Sequence, residues 1–330
     1  MIERMARRMT SSVLVGRTEA LALLETTATS GSEGRPRHAV IGGEAGVGKT
    51  RLLAEARTRA AADGAQVLLG RCVSMGAEGL PFAPYTEIIR SLVARDGAPT
   101  VIAAAGRAAP DLARLVPALR SEDPPVQELW AQTRLYEALL ELFRRLAERH
   151  PLMLQLEDLH WADAGTLAAS LFLLRAIDRE PITIQATYRA DEVTRKHPIK
   201  PWLAEVVRSA DVERIELEPL TRDDVASLIA DILGAGLRDQ EVAAIHERSD
   251  GNPFFVEELL CCRNDYGESI PTSLRDVLLS RVDAIDEGAR RLIGVAAVGG
   301  REVEHEMLMA VADRDEAAAD LRALVEAGLL

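Results

Sequence analysis

Short apolar runs alternate with longer helical patterns through the first two thirds of the chain. Each run is short enough to be a buried strand and is bounded by polar or glycine-containing segments. The runs lie at residues 38–41, 67–69, 152–156, 182–187 and 212–217. Strands that alternate with helices predict a parallel sheet covered by helices on both faces. The pattern therefore predicts an α/β core.

The pattern changes after this series of strands. Thr221 and Asp224 have the spacing of a capping box, and from there onward apolar residues recur only at helical intervals. We therefore place a domain boundary near Pro219 and predict helices from that point to the end. A long, mostly helical insertion is predicted at about 76–150 within the α/β core, and the serine- and glycine-rich run at 30–34 predicts a loop.

The first predicted strand leads directly into a glycine-rich motif and a helical pattern. The motif and the residue after it read Gly43-Glu44-Ala45-Gly46-Val47-Gly48-Lys49-Thr50-Arg51. The spacing G-x-x-x-x-G-K-[ST] between a strand and a helix is typical of a P-loop, whose backbone N–H groups surround phosphate oxygens. We expect Lys49 to reach the β- and γ-phosphates and the Thr50 hydroxyl to ligate Mg²⁺. The motif predicts ATP or ADP, with Mg²⁺, as ligands.

Two carboxylates, Glu157 and Asp158, follow the apolar run at 152–156. A P-loop needs an acid on a neighbouring strand to hold the metal and to polarise an attacking water. We expect Glu157 to bind the metal together with Thr50, and Asp158 to act as the general base. Successive strand residues face opposite ways, so one acid of the pair should lie beside the metal, and exchanged roles stay open. The alternative is a pair of solvated carboxylates, which the P-loop disfavours.

Arg189 stands just past the run at 182–187, at the end of the sheet where ligands of α/β folds bind. There its cation could contact a γ-phosphate. The alternative is a surface arginine paired with Asp191 or Glu192. His160 follows the acidic pair, but the chain's six histidines are scattered. We therefore expect packing or hydrogen bonding from His160 rather than metal ligation.

Charge and cysteine content limit the functions that fit. The formal net charge of −13 argues against the basic face that nucleic-acid binding requires. Cys72, Cys261 and Cys262 form no CxxC pair, and free thiols in a reducing cytosol are the simplest interpretation. No apolar run is long enough for a membrane span, and no secretory signal begins the chain. A cytoplasmic location without membrane association is expected.

Six short strings occur along the chain in a fixed order. They are Leu14-Val15-Gly16-Arg17, the P-loop, Pro81-Phe82-Ala83-Pro84, Leu156-Glu157-Asp158-Leu159-His160-Trp161-Ala162-Asp163, Thr187-Tyr188-Arg189 and Gly251-Asn252-Pro253-Phe254-Phe255. Together they resemble the ATPase module of large LuxR-family transcriptional regulators, a branch of the signal-transduction (STAND) ATPases related to AAA+ proteins. The module also resembles those fused to some class III nucleotidyl cyclases and serine/threonine kinases.

The resemblance implies roles that the patterns leave open. Arg189 falls on the family's sensor arginine. Pro253 falls on the lid proline that contacts the nucleotide in the closed, ADP-bound state. Val15, Gly16 and Arg17 fall on the segment that lies over the adenine.

The resemblance also implies a domain order. It places a P-loop core at 1–218, a helical lid at 219–269 and a truncated winged-helix-like domain at 270–330. The sequence ends in what resembles the last helix before the winged hairpin, so we expect it to be part of a longer protein. Any DNA contact would then belong to a C-terminal helix-turn-helix outside this sequence, and not to this chain.

The predicted function is an ATP-binding, slowly ATP-hydrolysing regulatory switch, with weak Mg²⁺-dependent ATPase activity. Glu157 departs from the aspartate that is usual at the first acid of the broader group, which bears on the efficiency of hydrolysis rather than on binding. One alternative is a nucleotide-binding scaffold without hydrolysis. Another is the accessory ATPase of a cyclase or kinase fusion, although kinase strings such as HRD and DFG are missing. The expected partner is nucleotide, and ATP-dependent self-association stays open.

Overall fold

A computed structural model describes residues 10–32, 35, 37–73, 80–120, 131–263, 282, 285–299, 320–321 and 324. The described strands are β1 (His38–Gly43), β2 (Gln66–Arg71), β3 (Leu152–Glu157), β4 (Ile182–Thr187) and β5 (Val212–Leu217). They form one five-stranded parallel sheet in the order β2-β3-β4-β1-β5. The predicted α/β core with a central parallel sheet is confirmed.

Helices flank the sheet in the larger unit, and further helices follow later in the chain. The described α-helices that precede β5 are α1 (Thr18–Ser32), α2 (Lys49–Ala62), α3 (Ala83–Asp96), α4 (Ala98–Ala105), α5 (Ala109–Leu112), α6 (Ala131–Ala147), α7 (Ala164–Ala176) and α8 (Ile199–Val207). They are followed by α9 (Arg222–Leu233), α10 (Asp239–Ser249), α11 (Pro253–Arg263) and α12 (Glu287–Gly299). In the described residues, no helix is long and apolar enough to cross a membrane.

Alternation along β3 decides which side chains face which layer. Leu152, Leu154 and Leu156 belong to a large apolar core that also includes buried residues of α3, α6 and α7. The intervening residues point to the other face, where the Gln155 amide donates to the Leu53 carbonyl of α2 at 2.9 Å. Because side chains alternate along a strand, Glu157 also lies on the α2 face.

The chain divides into two compact units. The larger contains residues 14–44 and 48–218, and the smaller contains 1–13, 45–47 and 219–330. In the smaller unit α9 begins with the capping box of Thr221 and Asp224. Most of the expected winged-helix-like segment at 270–330 lies outside the described residues, within which α12 buries Ala289, Leu292 and Ala296.

One local prediction is wrong. The expected loop at 30–34 is helical as far as Ser32, the last residue of α1. The Thr26, Thr29 and Ser30 hydroxyls donate to carbonyls four residues earlier. Such local bonds satisfy these polar side chains inside the helix, so the polar composition does not end it.

Candidate functional site

The glycine-rich turn between β1 and α2 has the backbone that its sequence requires. Gly43, Gly46 and Gly48 have φ values of 150°, 80° and 105°, which side chains with a Cβ rarely adopt. A Cβ on Gly46 would lie 2.8 Å from Asn252 Oδ1 and 2.9 Å from Phe254 Cβ. The turn then enters α2 at Lys49, so the N-terminus of this helix faces the space enclosed by the loop.

Lys49 folds back over this loop. Its Nζ donates to the Gly43 carbonyl at 2.6 Å and to the Glu44 carbonyl at 2.7 Å, and the side chain is buried. Burial lowers the pKa of Lys49 to about 8, while the negative charge of Asp191 partly opposes the shift. The ammonium group is thus held at the loop by backbone carbonyls, with acidic groups nearby.

Glu157 brings the end of β3 against the start of α2. Its Oε2 accepts a hydrogen bond from the Thr50 hydroxyl at 3.4 Å and lies 3.8 Å from Arg71 Nε. Burial raises the pKa of Glu157, and the cation of Arg71 acts in the opposite direction. The other oxygen, Oε1, is buried without a hydrogen-bond partner among the described residues.

Asp158 leaves the strand in a different direction from Glu157. Its φ of 61° is unusual for a residue other than glycine, and its N–H donates to the Thr187 hydroxyl of β4 at 3.0 Å. Burial raises the pKa of the Asp158 carboxyl, and the cations of Arg189 and Lys49 lower it. The two acids therefore face different groups: Glu157 faces Thr50, and Asp158 lies in the field of the two cations.

Arg189 follows β4 at the same edge of the sheet. Its guanidinium donates to Glu192 Oε1 and lies 4.7 Å from the centre of the Trp161 ring. The pairing with Glu192, which was one of the two alternatives for this arginine, is therefore present. The cation of Arg189 also acts on Lys49 and on Asp158, lowering the pKa of both.

The N-terminal string belongs to the larger unit. The Arg17 guanidinium is buried and donates to the Glu218 carbonyl just after β5 at 2.8 Å. Gly16 precedes it with φ 66°, and Val15 is partly buried. Arg17 thus fastens the segment before α1 to the end of the edge strand.

The remaining predicted residues divide between the two units. Ala45 and Val47 belong to the smaller unit, as does Pro253, the first residue of α11. Within that unit, Asn252 Nδ2 donates to the Ala45 carbonyl at 2.9 Å. Arg51 lies on α2 and is half-buried.

Sequence reasoning missed two contributors to the site in the larger unit and one contact within the smaller unit. Arg71 faces Glu157 from the end of β2, and Asp191 acts electrostatically on Lys49. Asn252 contacts Ala45 of the P-loop, although the sequence assigned a role only to its neighbour Pro253. A signal existed for Arg71 alone, because a charged residue ends a strand that is parallel to β3. The other two depend on loop conformations that the sequence does not encode locally.

The donors fit a hard divalent cation. A buried carboxylate oxygen without a partner and a hydroxyl on the other oxygen of the same carboxylate are ligands that Mg²⁺ accepts. The described part of the chain contains no group of three or more His, Cys, Asp or Glu side chains that could hold a metal ion.

The parallel sheet, the glycine loop before α2 and the acidic end of β3 define a P-loop NTPase fold. Residues 13–185, just over half of the chain, match the family model described as the AAA ATPase domain. The chain belongs to the AAA ATPase domain family.

Individual relatives are more distant. An uncharacterized protein of Rhizobium meliloti (strain 1021) is 24% identical over 310 residues, which cover 82% of this chain and 28% of that protein. The chain thus spans less than a third of the length of this relative.

Solved structures with a similar course of the chain include a STAND protein with a tetratricopeptide repeat sensor from Pyrococcus horikoshii. Its TM-score is 0.48 at 13% identity, covering 97% of this chain and 40% of that one. The ORC1 protein of Aeropyrum pernix, solved in complex with DNA, has a TM-score of 0.44 at 17% identity and covers 96% and 84%. AMPPCP-bound DnaA from Aquifex aeolicus has a TM-score of 0.44 at 14% identity and covers 95% and 90%.

Proposed function

We propose that this chain binds ATP with Mg²⁺ and hydrolyses it slowly, as the regulatory switch module of a LuxR-type signal-transduction ATPase. The observation that carries the proposal is the buried Lys49 held over a three-glycine loop, with the Thr50–Glu157 pair beside it. A lysine at this position can exchange two carbonyl acceptors for phosphate oxygens without leaving the loop. Membership of the AAA ATPase domain family supports the same function.

Each site residue then has a defined task. Lys49 binds the β- and γ-phosphates, and the loop N–H groups together with the N-terminus of α2 hold the rest of the phosphate chain. Thr50 and Glu157 would hold Mg²⁺, which when bound neutralises phosphate charge and orients the phosphate chain. Asp158 accepts a proton from the attacking water, and Arg189 senses the γ-phosphate. Val15 to Arg17 cover the adenine, and Pro253 contacts the nucleotide in the closed state.

The proposal of a switch rests on the fixed order in which the sequence motifs occur along the chain. This order divides the chain into a core at 1–218, a helical lid at 219–269 and a winged-helix-like segment at 270–330. ATP and ADP favour different states only to the extent that they bind those states with different affinities. The module would work in the cytoplasm, with nucleotide as its ligand, self-association as an ATP-dependent step and transcriptional output from another part of the regulator.

Calorimetric titration with ATP and Mg²⁺ tests the binding site. We expect Lys49→Ala to abolish measurable binding, because the phosphates lose the side-chain cation that is held at the P-loop. Lys200→Ala is the matched control, since Lys200 is exposed on α8 and should leave affinity unchanged. Unchanged affinity in the Lys49 variant would overturn the assignment of the site.

Steady-state phosphate release by the wild-type chain tests the hydrolysis. We expect slow release that requires Mg²⁺ and disappears in Lys49→Ala. ATP binding without any phosphate release would instead favour the non-hydrolysing scaffold.

A further inference from the structure

His160 lies between the ends of β3 and β4, with Asp158 after β3 and Arg189 after β4 as its neighbours. It is in the short 3-10 turn Leu159–Trp161 that follows the acidic pair, and its side chain is buried. Its Nδ1 accepts a hydrogen bond from the backbone N–H of Arg189 at 3.3 Å. The same nitrogen lies 4.0 Å from Asp158 Oδ1.

The hydrogen bond fixes the protonation of the ring. Because Nδ1 accepts from a backbone N–H, the imidazole is neutral and carries its proton on Nε2. Nε2 lies 3.6 Å from Oε2 of Glu192. The other oxygen of the same carboxylate, Oε1, accepts a hydrogen bond from the Arg189 guanidinium. The His160 ring therefore faces the backbone of Arg189 on one side. On the other side it faces the Glu192 carboxylate, which holds the Arg189 guanidinium.

Trp161 lies against both His160 and Arg189. The rings of His160 and Trp161 have their centres 4.6 Å apart, and the Arg189 guanidinium lies over Trp161. The backbone and the guanidinium of Arg189 are thus both in contact with the turn that follows Asp158. Burial lowers the pKa of His160 to about 3, with the cation of Arg189 contributing, so the ring stays neutral across the physiological range.

We propose that His160 is a positioning residue that sets the location of Arg189 relative to Asp158 and thereby determines discrimination between ATP and ADP. The inference rests on the proposed role of Arg189 as the γ-phosphate sensor. His160 does not touch the nucleotide in this account. It fixes the backbone from which Arg189 projects and faces Glu192, the carboxylate from which the guanidinium must be released to meet a γ-phosphate.

The test compares the affinities for AMP-PNP and for ADP, each with Mg²⁺, by calorimetric titration. We expect Arg189→Ala to lower the ratio of the two affinities by about tenfold, the scale of one hydrogen bond to a charged group. His160→Leu should lower the ratio toward the same value and leave ADP affinity unchanged. The double variant should be no worse than Arg189→Ala, because His160 acts through Arg189.

Two further variants separate positioning from packing. His160→Asn can place an amide oxygen where Nδ1 stands and should retain most of the ratio, whereas His160→Gln lacks an acceptor at that position and should lose it. His38→Leu is the matched control, because buried His38, the first residue of β1, also accepts a backbone N–H at Nδ1, from Ile184 of β4 at 3.1 Å. Its loss should reduce stability and leave the ratio unchanged.

The outcomes distinguish this inference from the function on which it rests. If Arg189→Ala leaves the ratio unchanged, the sensor role fails whatever His160 does. If Arg189→Ala lowers the ratio while folded His160→Leu keeps the wild-type value, the positioning role of His160 is overturned. Should the leucine variant not fold, equal ratios for His160→Asn and His160→Gln would overturn it as well.

Discussion

At the scale of single residues, His38 couples the stability of the core to pH. It is fully buried, and burial lowers its pKa from 6.5 to about 4. The folded-state pKa lies below the unfolded value, so the stabilisation is fully present above pH 6.5 and is lost as the pH falls toward 4. Between pH 7 and pH 4.5 the wild type should lose about 2 to 3 kcal/mol more unfolding free energy than His38→Leu. Urea unfolding of both proteins at the two pH values measures this difference, and equal losses would contradict the buried neutral histidine.

The acidic pair gives a second residue-scale prediction. Glu157 contacts the Thr50 hydroxyl, while Asp158 lies in the field of Lys49 and Arg189. We therefore expect Asp158→Asn to lower phosphate release by about a hundredfold or more, the usual contribution of a general base, with ATP affinity nearly unchanged. Glu157→Gln should instead raise the Mg²⁺ concentration required for half-maximal release. If Glu157→Gln alone removes turnover at saturating Mg²⁺, the two acids exchange roles.

At the scale of elements, Asp163 joins the start of α7 to the turn before α3. Its carboxylate accepts from the N–H groups of Gly165 and Thr166 as a helix cap, and from the N–H of Phe82 at 3.1 Å. Asp163→Ala should lower the unfolding free energy by about 1 to 3 kcal/mol, because a cap is lost and a further N–H loses its acceptor. Asp178→Ala is the control, since Asp178 is exposed and lies 3.7 Å from its equally exposed neighbour Arg179. Equal denaturation midpoints for the two variants would contradict this role.

The elements also show what the sequence could predict. Each strand and the P-loop were found because a short apolar run or a fixed glycine spacing is a local signal. The end of α1 was missed because the hydroxyls of Thr29 and Ser30 bond within the helix instead of ending it. The left-handed conformations of Phe82 and Asp158 could not be predicted, since glycine is the usual residue at such positions and even aspartate, which is enriched there, adopts this conformation rarely. Contacts made by these turns, such as the hydrogen bond between Asp158 and Thr187, therefore could not be predicted from the sequence.

At the scale of the whole molecule, the order of the strands could not be predicted. Strands buried on both faces are largely apolar, so their sequences predict burial but not which neighbour each one pairs with. The order β2-β3-β4-β1-β5 nevertheless explains the site, because it places β4 beside β1, the strand that leads into the P-loop, and β3 next to β4. Residues more than a hundred positions apart, such as Thr50 and Glu157, meet for this reason.

The net charge leads to a prediction about the chain as a whole. With 52 acidic and 39 Lys and Arg residues, the formal charge is −13, so a DNA duplex is repelled at long range. Non-specific binding of proteins to DNA depends on contacts between cations and phosphates, which release counterions and weaken steeply with salt. Fluorescence anisotropy of a labelled duplex should show no saturable rise at about 10 μM protein and about 50 mM salt, where a basic DNA-binding domain would already bind. The titration should give the same result with ADP and with AMP-PNP, so that neither nucleotide state is overlooked. A saturable rise that falls away at about 200 mM salt would show that this chain itself contacts phosphates, and would contradict the proposal that any DNA contact belongs to another part of the protein.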